Sequence, residues 1–328
     1  MWVIGVERGS TMSPNTPSSG AGSPVGRGGR RSVPTDFETA QGDLFDAVDI
    51  ATRSRFVDGP AGRIHVVEAG FPDDQPPVVF VHGTAAFGAF FAPLMTQVED
   101  RRMIAFDRPG YGLSDAFVYT EANVRRTVVD VLLEVLDTME ADRIDLVGHS
   151  MGGQTAILFA LMHPARVRRL VLIGAVVGFP GTHPPLRIRL LTVPVLNQVI
   201  RRLQKSGDEG VLDIAETFGE RDAIRNHPAF IRAIAAHEAE PKSAEAGFSE
   251  FNALVSVRGW RPSVRLSPDE LRSIQPPTTI VWGENDTLGG PDDVRDGVAL
   301  ISDVRFETVD AGHIPFLDHP NRCTALLK

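Results

Sequence analysis

Ser150 stands between two glycines in Gly148-His149-Ser150-Met151-Gly152, with the run Ile144-Asp145-Leu146-Val147 before it and an apolar segment, 154–162, after it. A serine so flanked at a strand-to-helix junction can hold its hydroxyl above a sheet, because the turn is too tight to admit side chains on either flank. The five residues alone do not separate this from an ordinary turn in a chain with 31 glycines. Their context does. A strand-like run precedes them, and Gly152, Ala156 and Ala160 then recur four apart, a stripe of small residues that lets a helix backbone lie close to a sheet until Pro164 stops it. Such a serine could attack a carbonyl carbon.

An unaided hydroxyl is a poor nucleophile at neutral pH, so Ser150 needs a base and a third group to orient that base. Position along the chain selects His313, in Ala311-Gly312-His313-Ile314-Pro315, directly after the last strand-like run and at the carboxyl edge where open α/β sheets place their sites. The orienting acid should leave the preceding strand, where Gly283-Glu284-Asn285-Asp286 offers two carboxylates; Asp286 is preferred and Glu284 is the alternative. The order Ser, Asp, His suits a nucleophile on such a turn. Negative charge developing on the attacked carbonyl calls for two N–H donors, assigned to Met151 at the start of the helix and to Thr84 in Val81-His82-Gly83-Thr84-Ala85, with Ala85 as the alternative to Thr84. His82 and His149 read as structural hydrogen-bonding residues. This chemistry asks for no cofactor and no metal.

The elements needed to position these residues are legible. Segments 52–57 and 63–68 flank Asp58-Gly59-Pro60-Ala61-Gly62 as a β-hairpin, and aliphatic runs at 77–81, 103–106, 144–147 and 170–173 are of the kind buried on both faces of a parallel sheet. Helical patterns at 90–98 and 121–139 separate them, the second with Val124, Val128, Val131, Leu132, Val135 and Leu136 on one face. After residue 173 the alternation breaks: 186–205 (interrupted by Pro194), 211–218, 228–240 and 243–255 read as helices with no convincing strand among them. Ser267-Pro268-Asp269-Glu270 has the form of a capping box. Runs at 278–282 and 304–309 resume the α/β pattern, and a last helix begins near Pro320. The predicted fold is α/β, with a mostly parallel sheet of about eight strands, helices on both faces and a helical insertion between strands 6 and 7.

Composition bounds the rest. With 328 residues, 42% of them hydrophobic, the chain can build a large α/β domain with an insertion. A net charge of −9 argues against nucleic-acid binding. Cys323 is the only cysteine, which excludes an internal disulfide and fits a cytoplasmic setting. Residues 10–32 are mostly Gly, Ser, Pro and Thr, so 1–40 is expected to be a disordered tail, with Met12 as an alternative start. Over residues 1–33 four arginines against Glu7 give +3 and leave −12 for the remainder. Arg30-Arg31 lacks the apolar stretch of an export signal, and no run reaches the roughly 18 apolar residues of an integral membrane segment.

Taken together, His82-Gly83, the run from Asp107 to Ser114 (Asp-Arg-Pro-Gly-Tyr-Gly-Leu-Ser), Gly148–Gly152, Gly283–Asp286 and Gly312-His313 resemble the α/β-hydrolase family over residues 52–328. That resemblance implies a core formed by 45–176 and 275–328, a cap domain at 177–274, and a scaffold role for the Asp107 turn. It also implies a catalytic triad of Ser150, Asp286 and His313 with Thr84 and Met151 as the oxyanion hole. Relatives that dehalogenate alkanes or open epoxides use an aspartate nucleophile, so Ser150 points instead to acyl chemistry. Carbon–carbon bond hydrolases resemble the chain in their cap but favour a longer glycine-rich loop, and prolyl aminopeptidases favour Gly-Gly-Pro-Gly. The specific expectation is a hydrolase of small, fairly apolar carboxylic esters. The alternatives with the same triad are C–C or thioester cleavage, acyl transfer and cofactor-free peroxidation, and a ligand receptor without turnover is a further one.

Overall fold

A computed structural model describes residues 36–324 except 71–74, 99, 191, 194–204 and 206. Eight strands form one sheet: β1 (Thr52–Gly59), β2 (Gly62–Ala69), β3 (Val78–Val81), β4 (Met103–Phe106), β5 (Ile144–His149), β6 (Val167–Ile173), β7 (Thr278–Gly283) and β8 (Val304–Val309), in the order β1-β2-β4-β3-β5-β6-β7-β8. β1 pairs antiparallel with β2 and β2 antiparallel with β4; every other pair is parallel. The hairpin closes through Pro60-Ala61, with Gly59 opposite Gly62 at φ +98°.

β3, β4 and β5 are buried along their whole length, which is why they read as continuous apolar runs rather than alternating ones. Successive side chains point to opposite faces and feed two cores. On one face Val79, Val81, Ile104, Phe106, Ile144 and Leu146 meet α3 (Thr127–Thr138) and α4 (Met151–Met162). On the other, Val78, Phe80, Ala105 and Val147 meet α1 (Asp36–Ala47), the short α2 (Ala92–Met95) and the aromatic residues Phe87, Phe90, Phe91 and Phe316.

Between β6 and β7 the chain is helical: α5 (Leu186–Leu190), α6 (Gly207–Thr217), α7 (Arg221–Arg225), α8 (Pro228–Ala239), α9 (Pro241–Leu254) and α10 (Pro268–Arg272). α11 (Pro291–Val298) links β7 to β8, and α12 (Pro315–Asp318) and α13 (Pro320–Thr324) follow β8. Proline opens α8, α9 and α10, where its missing N–H costs nothing. The predicted capping box is present: Glu270 N–H donates to Ser267 Oγ at 3.2 Å and Ser267 N–H to Glu270 Oε2 at 2.7 Å. Among the described residues no helix is long and apolar enough to cross a membrane.

Several elements correct the sequence reading. α1 begins at Asp36, inside the 1–40 stretch expected to be disordered, because Phe37, Gln41, Leu44 and Phe45 form a buried stripe at helical spacing. The rest of that tail lies outside the described residues, as does most of the helix expected at 186–205. The helix expected at 121–139 starts only at Thr127, since Asn123 closes a preceding turn by accepting from Thr120 N–H at 2.7 Å. The helix expected at 90–98 is a 3-10 turn, Gly88–Phe91, running into α2. A two-residue ribbon, Val255–Ser256 with Gly259–Trp260, interrupts the helices where no strand was expected.

The turn after β4 is a buried polar scaffold. Asp107 accepts from Gly88 N–H (2.6 Å), Leu113 N–H (2.8 Å) and His65 Nδ1–H (2.8 Å), while His65 Nε2 accepts from Ser54 at 2.6 Å. Burial would raise the Asp107 carboxyl, but His65 and the amides outweigh it and hold it at about 2. Arg108, wholly buried, pairs with Glu250 of α9, which also accepts from Tyr111 at 2.6 Å. Glu250→Ala is therefore expected to lower the unfolding free energy by about 3–5 kcal/mol, because Arg108 would remain buried with its charge uncompensated. Urea denaturation measures this, and a wild-type midpoint would contradict it.

Candidate active site

The site is built on the junction of β5 and α4. Ser150 adopts φ 54° and ψ −118°, a strained conformation for a side-chain-bearing residue that lifts its hydroxyl out of the turn. The flanking glycines follow from contact distances. A Cβ on Gly148 would sit 2.5 Å from the Gly152 carbonyl oxygen, and one on Gly152 would run into the carbonyl of Val81 in β3. Ser150 N–H still donates to Ile173 O of β6 at 3.1 Å, so the sheet fixes the entry to the turn.

His313 lies in the loop that leaves β8. Its Nε2 is 2.9 Å from Ser150 Oγ and its Nδ1 is 2.8 Å from Asp286 Oδ2. Asp286 leaves β7, and its other oxygen accepts from Leu288 N–H at 2.9 Å. A carboxylate can only accept, so Nδ1 carries the proton and Nε2 keeps a lone pair for the serine hydroxyl. Asp286 and His313 are 5% and 6% exposed, so bulk water screens this chain of bonds weakly. Burial works against the imidazolium, but the Asp286 charge and hydrogen bond, with Glu220, outweigh it and hold His313 above its ordinary value. Glu284, the alternative acid, is exposed and accepts from Thr308 at 3.0 Å instead.

The loop after β3 lies against the serine: a Cβ on Gly83 would come within 2.9 Å of Ser150 Cβ. Thr84 is half-buried on this loop and Ala85 follows at φ 55°. Met151 N–H belongs to the first turn of α4, where amides have no intrahelical acceptor and the helix dipole favours negative charge. His82 is spoken for, as expected: its Nε2 accepts from Arg108 N–H at 2.8 Å and its Nδ1 donates to Gly83 O at 2.8 Å. Burial, with Arg108 adding to it, keeps His82 neutral far below its ordinary value.

Other side chains surround the triad. His149 Nε2 donates to the His313 carbonyl at 2.9 Å, and burial lowers this imidazole to about 3. Phe218, in the segment between α6 and α7, stacks on His313 with centroids 5.6 Å apart. Beside His149 lies an aromatic cluster: Phe90 is 4.8 Å from Phe230 of α8 and 5.9 Å from Phe316 of α12, centroid to centroid. His237 of α8 is buried among Phe37, Phe87 and Tyr111, and neither ring nitrogen has a hydrogen-bond partner among the described residues. Two surface grooves of about 560 and 440 Å³ include none of Ser150, Asp286 and His313.

Comparison with known proteins agrees with this architecture. Residues 78–326 match the model of the alpha/beta hydrolase family. A 2-hydroxy-6-oxononadienedioate/2-hydroxy-6-oxononatrienedioate hydrolase of Burkholderia vietnamiensis is 29% identical over 253 residues, 70% of this chain and 76% of that protein. Carboxylesterase CesB of Bacillus subtilis superposes with a TM-score of 0.67 at 22% identity, covering 89% of this chain and 95% of that one. The enol-lactonase of Burkholderia xenovorans LB400 superposes with a TM-score of 0.64 at 19% identity, covering 83% and 98%.

Proposed function

The chain belongs to the α/β-hydrolase family, and from that premise we propose that it is a serine hydrolase of small, fairly apolar carboxylic esters. The observation that carries this reading is the unbroken chain Ser150–His313–Asp286 at a strained turn. Ser150 Oγ attacks the ester carbonyl while His313 Nε2 takes its proton, and the tetrahedral oxyanion faces the N–H groups of Met151 and Thr84. His313 then returns the proton to the departing alcohol, leaving an acyl group on Ser150. Water, deprotonated by the same imidazole, attacks the acyl carbon and frees the acid as Oγ recovers its proton. Asp286 holds one tautomer throughout and stabilises the imidazolium without taking the proton.

The aromatic cluster of Phe90, Phe230 and Phe316 makes the surroundings of the triad apolar, which supports an apolar acyl group. A second reading, carbon–carbon bond cleavage, is favoured by the sequence relatives. The short loop after β3 had argued against it, yet the B. vietnamiensis relative is named for such a substrate. In this reaction Ser150 would attack a ketone, and the carbon–carbon bond would break to expel a stabilised carbanion that takes the proton held by His313. A dioate substrate also needs cations for its carboxylates, whereas the buried Arg108 is already neutralised by Glu250. The test is a panel of aryl esters graded in acyl length beside a 2-hydroxy-6-oxo-dienoate. kcat/KM is expected to favour the best ester by at least about tenfold; a reversed order would replace the ester reading with the carbon–carbon one.

A further inference from the structure

One short stretch of the helical insertion, Thr217 to Glu220, is bonded to both loops that carry the acid and the base. Thr287, next to Asp286, donates through Oγ1 to the Thr217 carbonyl at 2.6 Å. His313 N–H donates to the Phe218 carbonyl at 3.1 Å, and Ile314 N–H donates to Glu220 Oε1. The packing is tight: a Cβ on Gly312 would lie 2.6 Å from the Phe218 carbonyl oxygen and 2.7 Å from Glu220 Oε1, and one on Gly219 3.0 Å from Asn285 O. Glu220 is 0% exposed, and its second carboxyl oxygen has no hydrogen-bond partner among the described residues.

A latch alone would be served by a neutral acceptor. A buried carboxyl with one oxygen unbonded is costly, and here it lies directly behind the imidazole loop. We propose that Glu220 is a positioning residue of the reaction: a second carboxyl group, carried by the cap, that fixes the His313 loop through Ile314 N–H and adds negative charge behind the imidazole. The seating of the cap then sets how firmly His313 holds a proton. This rests on His313 being the base of the proposed reaction.

The charged surroundings define the sign. Glu220 faces His313, Asp286 from the β7 loop and Asp318 from α12, while His313 also faces His149, which stays neutral. Burial, helped by the two aspartates and opposed by Ile314 N–H and His313, brings the Glu220 carboxyl up to about 7. It therefore titrates in the range of the imidazole, as a coupled pair. An ionised Glu220 raises His313, so removing the charge moves His313 protonation to lower pH.

Glu220→Gln keeps an oxygen that can accept from Ile314 N–H and removes the charge; Glu220→Ala removes both. Two readouts are needed, the imidazole titration of His313 followed by NMR and the pH profile of ester kcat/KM. In Glu220→Gln the His313 titration and the acid limb are both expected to move down by about half a unit or more and to sharpen to a single ionisation. In Glu220→Ala kcat is expected to fall about 10–100-fold with KM nearly unchanged, and Gln is expected to restore most of that loss above pH 8. A His313 titration identical in wild type and Glu220→Gln would overturn the proposal, and the Gln variant decides alone if the Ala variant fails to fold. A wild type that turns over no ester while His313 still shifts in Glu220→Gln would count against the ester reading and leave the electrostatic coupling standing.

Discussion

Ser150→Ala is expected to lower ester kcat/KM by at least about 10⁴-fold, a loss of about 5.5 kcal/mol of transition-state stabilisation, and to abolish covalent labelling by a fluorophosphonate. The size follows from what would remain. Without Oγ there is no acyl-enzyme, and His313 can only activate a water molecule that no covalent bond positions. Binding and the N–H donors proposed at Met151 and Thr84 would still supply a residual rate above that in water. The fold should tolerate the change. Ser150 sits at φ 54°, and alanine pays nearly the same strain there, so the glycine contacts to Val81 and the sheet bond to Ile173 O are retained. Unchanged KM and thermal stability with the rate gone would place the loss in the chemical step. Retention of more than a few per cent of the wild-type rate, or labelling that survives, would remove Ser150 from the reaction.

Much of this arrangement was legible because it is encoded locally. The parallel strands announce themselves through runs such as Val78–Val81, buried on both faces, and the turn at Ser150 through glycines that leave no room for a Cβ. The structure brings Ser150, Asp286 and His313 together, the residues to which chain order and position at the sheet edge point, with Glu284 left open as the alternative acid. The choice between Glu284 and Asp286 was not local. Both lie in one loop, and only the bend that gives Leu288 N–H to one oxygen of Asp286 aims the other at the imidazole. Glu220 and Phe218 had no signal at all, since nothing in Phe218-Gly219-Glu220 states that it packs on a loop some ninety residues later. The polar composition before α1 obscures it, and the short polar α11 has no apolar stripe long enough to announce it, although Asp293 accepts from Gly290 N–H at 2.9 Å as a cap.

Asp286→Asn tests whether the imidazole is held in one tautomer, and the geometry fixes what the amide must do. Leu288 N–H lies 2.9 Å from one carboxyl oxygen and can only donate, so it selects the amide oxygen of the variant. The amide nitrogen then faces His313 Nδ1 at the position Oδ2 held, 2.8 Å away, and it too can only donate. Nδ1 has to accept, so the ring proton moves to Nε2, which then points a hydrogen at Ser150 Oγ and has no lone pair for its proton. kcat is expected to fall about 10⁴-fold with KM little changed, the loss that follows from presenting the wrong tautomer in intact geometry. The pH profile supplies a second, independent sign. Without the Asp286 charge, burial dominates at His313, and its protonation shifts to lower pH. Glu284→Gln is the matched control, because Glu284 bonds Thr308 on the exposed side of the loop and should leave both rate and profile unchanged. A rate within about tenfold of wild type in Asp286→Asn would mean that another carboxylate orients His313, and Glu220, already bonded to the next amide, would be the first to test.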